Sequence, residues 1–155
     1  MTTDITDTIA FAKVRLEELV SFFGANVTAS ADLTDDGIQL VIDGSSHSPR
    51  LIGHRGETLR SIEYLLGQIV KHRDPEAPRV LVDVGGYKEA RRQSLEELAH
   101  EVAARVQETG AEQELKPMNP AERRIVHMAL REQTGIETES RGEGHHRRIV
   151  VKPAV

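Results

Sequence analysis

The sequence predicts an α+β protein made of two small units joined by a long helix. Three observations indicate this class. Segments with helical and strand-like periodicity follow one another as α-β-β-α-β, a long charged helical segment comes next, and a β-α-β-β order completes the chain. With 155 residues, the chain is long enough for two small domains. We expect the first domain at residues 1–86 and the second, with the long helix, at 87–155.

The first unit begins with an amphipathic helix. Its apolar residues recur every three or four positions from Ile5 to Phe23, and Gly24 is expected to end it. The segment 25–33 favours β structure. Over 38–43, Ile38, Leu40 and Ile42 alternate with Gln39, Val41 and Asp43, which predicts a strand. The remaining predicted elements of this unit are a loop over 44–49, a helix over 56–72 and a strand over 79–84.

The second unit is predicted to consist of a long helix, a short strand, a capped helix and a hairpin. Its elements are expected at 88–108, 113–118, 119–133, 136–140 and 147–152. The long helix has an expected inward stripe at Ala90, Leu95, Leu98, Val102 and Val106. The capped helix has the strongest start signal in the chain. Asn119 is placed as N-cap, Pro120 takes the first helical position, and Glu122 completes a capping box.

Charge is distributed unevenly. The net charge is −5, yet residues 50–73 carry five basic and two acidic residues, and residues 119–155 carry seven and five. A local basic patch, more than the total charge, determines whether a surface suits phosphate. The bland alternative is a mixed, solvated surface. Aromatic residues make up only 3% of the chain, which argues against base stacking on an aromatic platform.

Composition also indicates a compartment. The chain has no cysteine, no apolar run of bilayer length and no basic segment at its start that resembles a signal peptide. We therefore expect a cytoplasmic protein without membrane insertion.

The stretch 50–66, "RLIGHRGETLRSIEYLL", places two glycines around basic side chains directly before a helix. Gly53 and Gly56 let a ligand approach the backbone closely, and the peptide N–H groups of residues 55–57 would lie at the positive end of the helix. With the side chains of His54, Arg55 and Arg60, this loop is expected to bind a sugar–phosphate backbone.

Other interpretations of the two glycines are weaker. A nucleotide-triphosphate loop requires Lys and Ser or Thr after its last glycine, and Gly56 is followed by Glu57. A dinucleotide fingerprint requires a third glycine in a parallel βαβ unit. A tight helix start without any ligand is the structural alternative, and it would be favoured for an isolated pair of glycines.

With its flanking elements, "LIGHRGETL" resembles the glycine loop of a type II KH domain, a single-strand-binding module. The resemblance implies that the loop contacts the backbone of about four nucleotides. It also implies an aliphatic groove for bases, to which Ile52 and Leu59 would contribute. Many KH loops have Lys where this chain has His54.

The second basic block contains Arg123 and His127 in "NPAERRIVHMAL", four residues apart and therefore on one helical face. Arg131 extends this stripe, and Val126 and Leu130 are expected on the buried side. The spacing is similar to the motif of the Arg-x-x-x-His domain, another single-strand-binding module. Further candidates for the same surface are Arg124, His145, His146, Arg147 and Arg148.

The two modules in this order resemble the bacterial Jag/KhpB family, also called SpoIIIJ-associated proteins. The resemblance implies a single-stranded RNA-binding protein, either a post-transcriptional regulator or an RNA chaperone. Many members carry a further N-terminal Jag domain, for which we expect no counterpart here. The alternative is a scaffold that pairs with another small KH protein and binds RNA only secondarily.

An enzyme fits the sequence poorly. The acids of the long helix alternate with basic residues, as on a solvated face, and the basic blocks contain few clustered acids for the metal of a nuclease. His145 and His146 are the obvious candidate metal ligands, but no carboxylate or Cys is spaced to complete a site. We expect no catalytic residue, no metal and no cofactor.

Overall fold

The computed structural model describes residues 4–44 and 46–154, and the chain divides into two compact units, Met1–Lys88 and Glu89–Val155. Unit 1 contains α1 (Ile5–Ser21), β1 (Ala29–Thr34), β2 (Gly37–Ile42), α2 (Ser48–Ile52), a 3₁₀ turn (His54–Gly56), α3 (Glu57–Arg73) and β3 (Val80–Val84). The helix α4 (Tyr87–Thr109) begins at the end of unit 1 and lies mostly in unit 2. Unit 2 continues with β4 (Gln113–Glu114), α5 (Pro120–Leu130), β5 (Ile136–Arg141), a 3₁₀ turn (Gly144–His146) and β6 (Arg148–Pro153).

The sheet of unit 1 has the strand order β1-β2-β3. The first two strands are antiparallel neighbours, whereas β2 and β3 are parallel because the intervening helices carry the chain back across the sheet. The alternation predicted for the central strand is confirmed, since Ile38, Leu40 and Ile42 are all buried.

Helices α1 and α3 supply the rest of this core. Their buried apolar residues follow helical spacing and are Ala12, Leu16, Val20, Leu59, Ile62, Leu66 and Val70. The prediction that α1 extends to Phe23 is wrong, because the helix ends at Ser21. Phe22 is 87% exposed and Phe23 39% exposed, so neither closes the apolar stripe.

The loop predicted over 44–49 is only partly correct. Ser48 and Pro49 open α2, with Pro49 in the first turn, where the missing N–H of proline costs nothing. Leu51 is fully buried, and this burial holds the five-residue helix against the core. Ser45, inside the predicted loop, lies outside the described residues.

In unit 2 a three-stranded antiparallel sheet has the order β4-β6-β5. The core combines α4, α5 and the inner side of the sheet, and it contains Leu95, Val102, Val106, Leu115, Val126, Leu130, Ile149 and Val151. Two residues of the stripe predicted for α4 are misplaced, because Ala90 and Leu98 are exposed. Ala99 and Ala103 take the inward positions instead, where small side chains let α4 approach its neighbours closely.

The predicted start of the capped helix is confirmed, but its predicted end is wrong. Asn119 accepts the N–H of Glu122, and the Glu122 side chain accepts the N–H of Asn119, as a capping box requires. The helix ends at Leu130, three residues before the predicted end at residue 133, and Arg131 is its C-cap.

Among the residues that the structure describes, no helix has both the length and the apolar character needed to span a bilayer.

Candidate nucleic-acid interface

The glycine loop, residues 53–56, has a backbone that only glycine adopts easily at two of its four positions. Gly53 has φ 71° and ψ −172°, a region essentially restricted to glycine. Gly56 is left-handed, with φ 76° and ψ 16°. Arg55 is also left-handed, with φ 50°, which is uncommon for a residue with a side chain. Three positive φ angles in four residues fold the chain sharply between α2 and α3.

Close contacts are a second physical reason why both positions require glycine. A Cβ on Gly53 would lie 2.1 Å from Oγ1 of Thr58, and a Cβ on Gly56 would lie 2.7 Å from Cε1 of Tyr87. Neither distance is tolerated between non-bonded atoms. The glycine at each position is therefore required by the packing of the loop, whatever ligand the loop binds.

The backbone donors expected at the loop are largely engaged. The N–H of Gly56 donates to the carbonyl of Gly53 at 3.4 Å, and the N–H of Glu57 donates to the carbonyl of His54. The expectation that these two N–H groups face a phosphate is not supported, because the 3₁₀ turn uses them. Glu57 also places an exposed carboxylate in the first turn of α3. The donors that the loop leaves for a ligand are therefore mainly those of its side chains.

The predicted side chains of unit 1 differ in accessibility. His54 and Arg60 are exposed, Arg55 is half-buried, and Ile52 is half-buried against the core. Leu59 departs from its expected place in a groove, because it is only 2% exposed and packs within the core. It supports the region beneath the loop but offers almost no surface to a base.

In unit 2, α5 is fixed to its neighbours at its first turn. Glu122 is 5% exposed, completes the capping box and receives a hydrogen bond at 2.8 Å from Nε of Arg91. Val126 and Leu130 bury the inner face of the helix, as predicted. Arg124 and His127 are both exposed.

Contacts join three of the predicted polar residues, Arg123, His127 and Arg147, across this helix and the hairpin. We name the set Arg123, Arg124, His127, Arg131 and Arg147 the helix–hairpin surface. Arg123 donates from Nη1 to the carbonyl of Met118 at 2.8 Å, and the N–H of Met118 donates to the carbonyl of Arg147 at 3.1 Å. The residue Met118 thus links the backbone of Arg147 directly to the guanidinium of Arg123.

Two hydroxyl groups of β5 complete these contacts. Nδ1 of His127 shares a hydrogen bond of 2.6 Å with Oγ1 of Thr138, and Nε of Arg147 donates to Oγ of Ser140 at 2.9 Å. Thr138 and Ser140 pair in register with Val151 and Ile149, which belong to the core, so both hydroxyls lie on the core-facing side of the strand. Reasoning from sequence missed both residues.

Arg131 keeps its predicted position although α5 ends before it. Its φ of −56° and ψ of −37° are helical, so it continues the line of Arg123 and His127 as an exposed C-cap. His145 and His146 form an exposed 3₁₀ turn. Arg148 does not join the surface, because it is half-buried and pairs with Glu114 at 2.7 Å.

Most other arginines of unit 2 are neutralised by carboxylates. The pairs are Arg91–Glu122, Arg92–Glu89, Arg92–Glu96, Arg105–Glu101, Arg141–Glu112, Arg141–Glu139 and Arg148–Glu114. The hydrogen bond from Arg92 lowers the pKa of Glu89 to about 2. By the same cause, Arg141 lowers the pKa values of Glu112 and Glu139.

Arg123 and Arg147 differ from these arginines in the nature of their acceptors. Each donates to a neutral oxygen, a carbonyl or a hydroxyl, and neither forms an ion pair with a carboxylate within residues 4–44 and 46–154. A neutral acceptor orients a guanidinium without cancelling its charge. Both side chains therefore keep a full positive charge for an anionic ligand.

A metal centre finds no support in the described part of the chain, where no three His, Cys, Asp or Glu side chains are grouped to hold an ion.

Comparison with known proteins agrees with the geometry of unit 2. The family model of the Arg-x-x-x-His domain matches residues 93–153. The curated relatives include the RNA-binding protein KhpB of Clostridium symbiosum, 41% identical over 101 residues, which cover 65% of this chain and 46% of the relative. The RNA-binding protein KhpB of Streptococcus pneumoniae is 27% identical over 146 residues, covering 94% of this chain and 43% of the relative. The chain thus spans less than half the length of these two relatives.

A third relative matches over most of its own length. The RNA-binding protein KhpB of Bacillus subtilis is 31% identical over 148 residues, which are 94% of this chain and 70% of that protein. An Arg-x-x-x-His domain in unit 2 and a match that extends across both units place the sequence in one group of bacterial proteins. The chain belongs to the KhpB family.

Proposed function

We propose that this protein binds single-stranded RNA, without catalysis, as a post-transcriptional regulator or RNA chaperone in the bacterial cytoplasm. The observation that carries the proposal is the state of Arg123 and Arg147. Both are oriented by neutral oxygens, in a unit where five of the other seven arginines are paired with carboxylates. Fixed, uncompensated guanidinium groups suit phosphate oxygens, to which they donate short, charge-assisted hydrogen bonds.

We further propose that unit 1 is a type II KH domain and that its glycine loop is a second RNA contact. Support comes from the α-β-β-α-α-β order, the mixed sheet and the Gly53–Gly56 loop between two helices. Exposed His54 and Arg60 supply donors at this loop, and half-buried Ile52 supplies apolar surface. We propose RNA rather than DNA as the ligand because the relatives are named RNA-binding proteins.

Titration of fluorescent single-stranded RNA, the matching duplex and single-stranded DNA at several salt concentrations tests the proposal. We expect the single-stranded RNA to bind most tightly. Its log K should fall by about 0.7 per phosphate contact for each tenfold rise in salt, as counterions are released. Equal affinity for the strand and the duplex, or an affinity that does not respond to salt, would contradict it.

A second candidate function is pairing with another small KH protein, with RNA binding secondary. The observation in its favour is a pair of apolar side chains on α3, since Tyr64 is 67% and Leu65 51% exposed. Crosslinking and sequencing of RNA bound in cells separates the two functions. RNA recovery at background level would favour the pairing function, and enrichment of defined transcripts would favour RNA binding.

A further inference from the structure

We propose that Thr138 and Ser140 are positioning residues of the helix–hairpin surface, an inference that rests on the RNA-binding function proposed above. Their hydroxyls fix the imidazole of His127 and the guanidinium of Arg147 in the orientations that meet phosphate. In the proposed interface neither hydroxyl needs to touch RNA itself. Each acts through the side chain that it holds.

The geometry at His127 determines which ring nitrogen meets the ligand. Oγ1 of Thr138 lies 2.6 Å from Nδ1, so the opposite nitrogen, Nε2, is left for a ligand of this exposed ring. The hydrogen bond at one imidazole nitrogen decides which nitrogen carries the proton in the neutral ring. When the Thr138 hydroxyl donates to Nδ1, the proton of the neutral ring resides on Nε2, and Nε2–H is a donor.

A charged imidazole gives the same outward donor. Both ring nitrogens then carry protons, Nδ1–H donates to Thr138, and Nε2–H still points to the ligand. A hydroxyl is suited to this position because it either donates or accepts, whereas a carboxylate only accepts in its ionised form. Thr138 is therefore compatible with an Nε2–H donor, which is what a phosphate oxygen requires, in both protonation states of His127. In the neutral ring this holds when the hydroxyl donates to Nδ1.

Arg147 is also oriented by a hydroxyl group of β5. Its Nε donates to Ser140 at 2.9 Å, so Ser140 does not use the donors of its Nη1 and Nη2 groups. Thr138 and Ser140 are two residues apart on β5, which places both hydroxyls on one side of the strand at a separation of about 6.8 Å along it. Two side chains of the surface are thus anchored at a fixed spacing by one strand.

Glu139 and Arg141, the alternate residues of β5, have a different set of contacts. Arg141 bonds Glu112 and Glu139, and Lys152 also approaches Glu139. The strand therefore separates neutral anchors on one side from an ion-pair network on the other.

The test uses the full chain with Thr138→Val, Thr138→Ser, Ser140→Ala and His127→Ala. Valine matches threonine in shape and suits a strand, so folding should be kept. We expect Thr138→Val to weaken binding of a single-stranded RNA about three- to tenfold, the range for one hydrogen bond. Thr138→Ser, which retains the hydroxyl, should bind within about twofold of the unaltered protein. Ser140→Ala should weaken binding by a similar factor through Arg147.

Two further readouts separate positioning from a general structural effect. Thr138→Val should cause no further loss of affinity in the His127→Ala background, because residues that act through one contact are not additive. NMR of the His127 ring nitrogens should show Nε2–H in the unaltered neutral protein and a mixed tautomer in Thr138→Val. Thr34→Val, the same change on β1, is the control and should leave affinity and ring spectra unchanged.

The outcomes of these measurements separate the roles of Thr138 and Ser140 from the proposed function. An equal loss from Thr138→Val with and without His127, or an unchanged ring tautomer, overturns the role of Thr138. Unchanged affinity in Ser140→Ala overturns the role of Ser140. If the unaltered protein binds no RNA, the proposed function fails and the interface role falls with it. The NMR measurement, made without RNA, then still shows whether Thr138 orients the ring.

Discussion

Tyr87 occupies the space that a side chain at Gly56 would need. A Cβ on Gly56 would lie 2.7 Å from Cε1 of the Tyr87 ring and 3.1 Å from its hydroxyl oxygen. The first residue of α4 therefore packs directly against the last residue of the glycine loop, within unit 1. This contact couples the conformation of the loop to the start of the long helix.

Gly56→Ala is therefore expected to destabilise the protein. The left-handed backbone at Gly56 alone costs a residue with a Cβ about 1–2 kcal/mol, and displacement of the Tyr87 ring adds to this. Gly67→Ala is the matched control. Gly67 lies inside α3, and a Cβ there meets no atom within 4 Å, so alanine should stabilise the helix by about 0.5–1 kcal/mol. Chemical denaturation of both variants measures the difference, and equal stabilities would contradict both the backbone cost at Gly56 and the clash with Tyr87.

Local signals explain which elements could be predicted from sequence. The start of α5 is specified within four residues by Asn119, Pro120 and Glu122, and the burial of β2 is specified by the alternation over 38–43. The short helix α2 lacks such a signal. Five residues are too few for a helical period, and its stability comes from Leu51, whose burial depends on residues distant in the sequence.

In the candidate site, too, only the residues with a local sequence signal could be predicted. Arg123 and His127 are recognisable because their spacing of four residues is a property of one helix. Thr138 and Ser140 are not, since their partners lie 11 and 7 residues away along the chain and meet them only in the folded unit. Similarly, the engagement of the Gly56 and Glu57 N–H groups follows from the 3₁₀ turn, which the glycine spacing alone does not reveal.

Charge reversal in the glycine loop should weaken RNA binding without unfolding unit 1. His54→Asp combined with Arg55→Asp places two negative charges where phosphate is proposed to bind. Aspartate tolerates the left-handed backbone found at Arg55 better than most residues. His54 is exposed, where substitutions usually shift stability little, and Arg55 is half-buried, so thermal melting must accompany the binding measurement. Binding is measured by fluorescence anisotropy and folding by thermal melting.

The matched control for this double variant changes Lys71 and His72 to Asp at the exposed end of α3. It alters net charge similarly but leaves the loop intact, so it should retain much more affinity. Equal losses in the two double variants would mean that only total charge matters. A folded loop variant with undiminished affinity would remove the glycine loop from the interface.

The ion-pair network around Arg141 should make stability depend on pH. Arg141 lowers the pKa values of Glu112 and Glu139 in the folded state, so the folded protein holds their protons less tightly than the unfolded chain. This contribution is present above about pH 4.5, the ordinary range of a glutamate, and is lost as the pH falls through the lowered values. Arg141→Gln should flatten the decline of the urea midpoint below that pH.

Arg147→Gln is the control for this effect, because its guanidinium donates to the neutral Ser140 and shifts no carboxylate by that bond. It should leave the acid decline of stability unchanged. The RNA affinities should rank in the opposite order, with Arg147→Gln weakened and Arg141→Gln nearly unaltered. A steeper acid decline in Arg141→Gln than in the unaltered protein would contradict the assignment of the network.

Arg123→Ala is expected to cost roughly 1.5–3 kcal/mol of RNA binding, because it removes charge-assisted hydrogen bonds to phosphate. Arg105→Ala is the matched control in the same unit. Arg105 is an exposed arginine of α4 that is paired with Glu101, so its removal deletes the same charge but should change affinity little. His127→Ala should cost less than Arg123→Ala, since one of the two ring nitrogens is engaged by Thr138 and only Nε2 is left for a phosphate.

Thermal melting of each of these variants, measured beside its RNA affinity, distinguishes a lost contact from a damaged helix. Arg123 also donates to the carbonyl of Met118, so a modest fall in melting temperature is compatible with a binding role. A large fall in melting temperature for His127→Ala, with affinity kept, would make His127 a structural residue that holds α5 to Thr138. An unchanged affinity in Arg123→Ala would remove Arg123 from the interface and leave His127, Arg147 and the glycine loop as the proposed contacts to test.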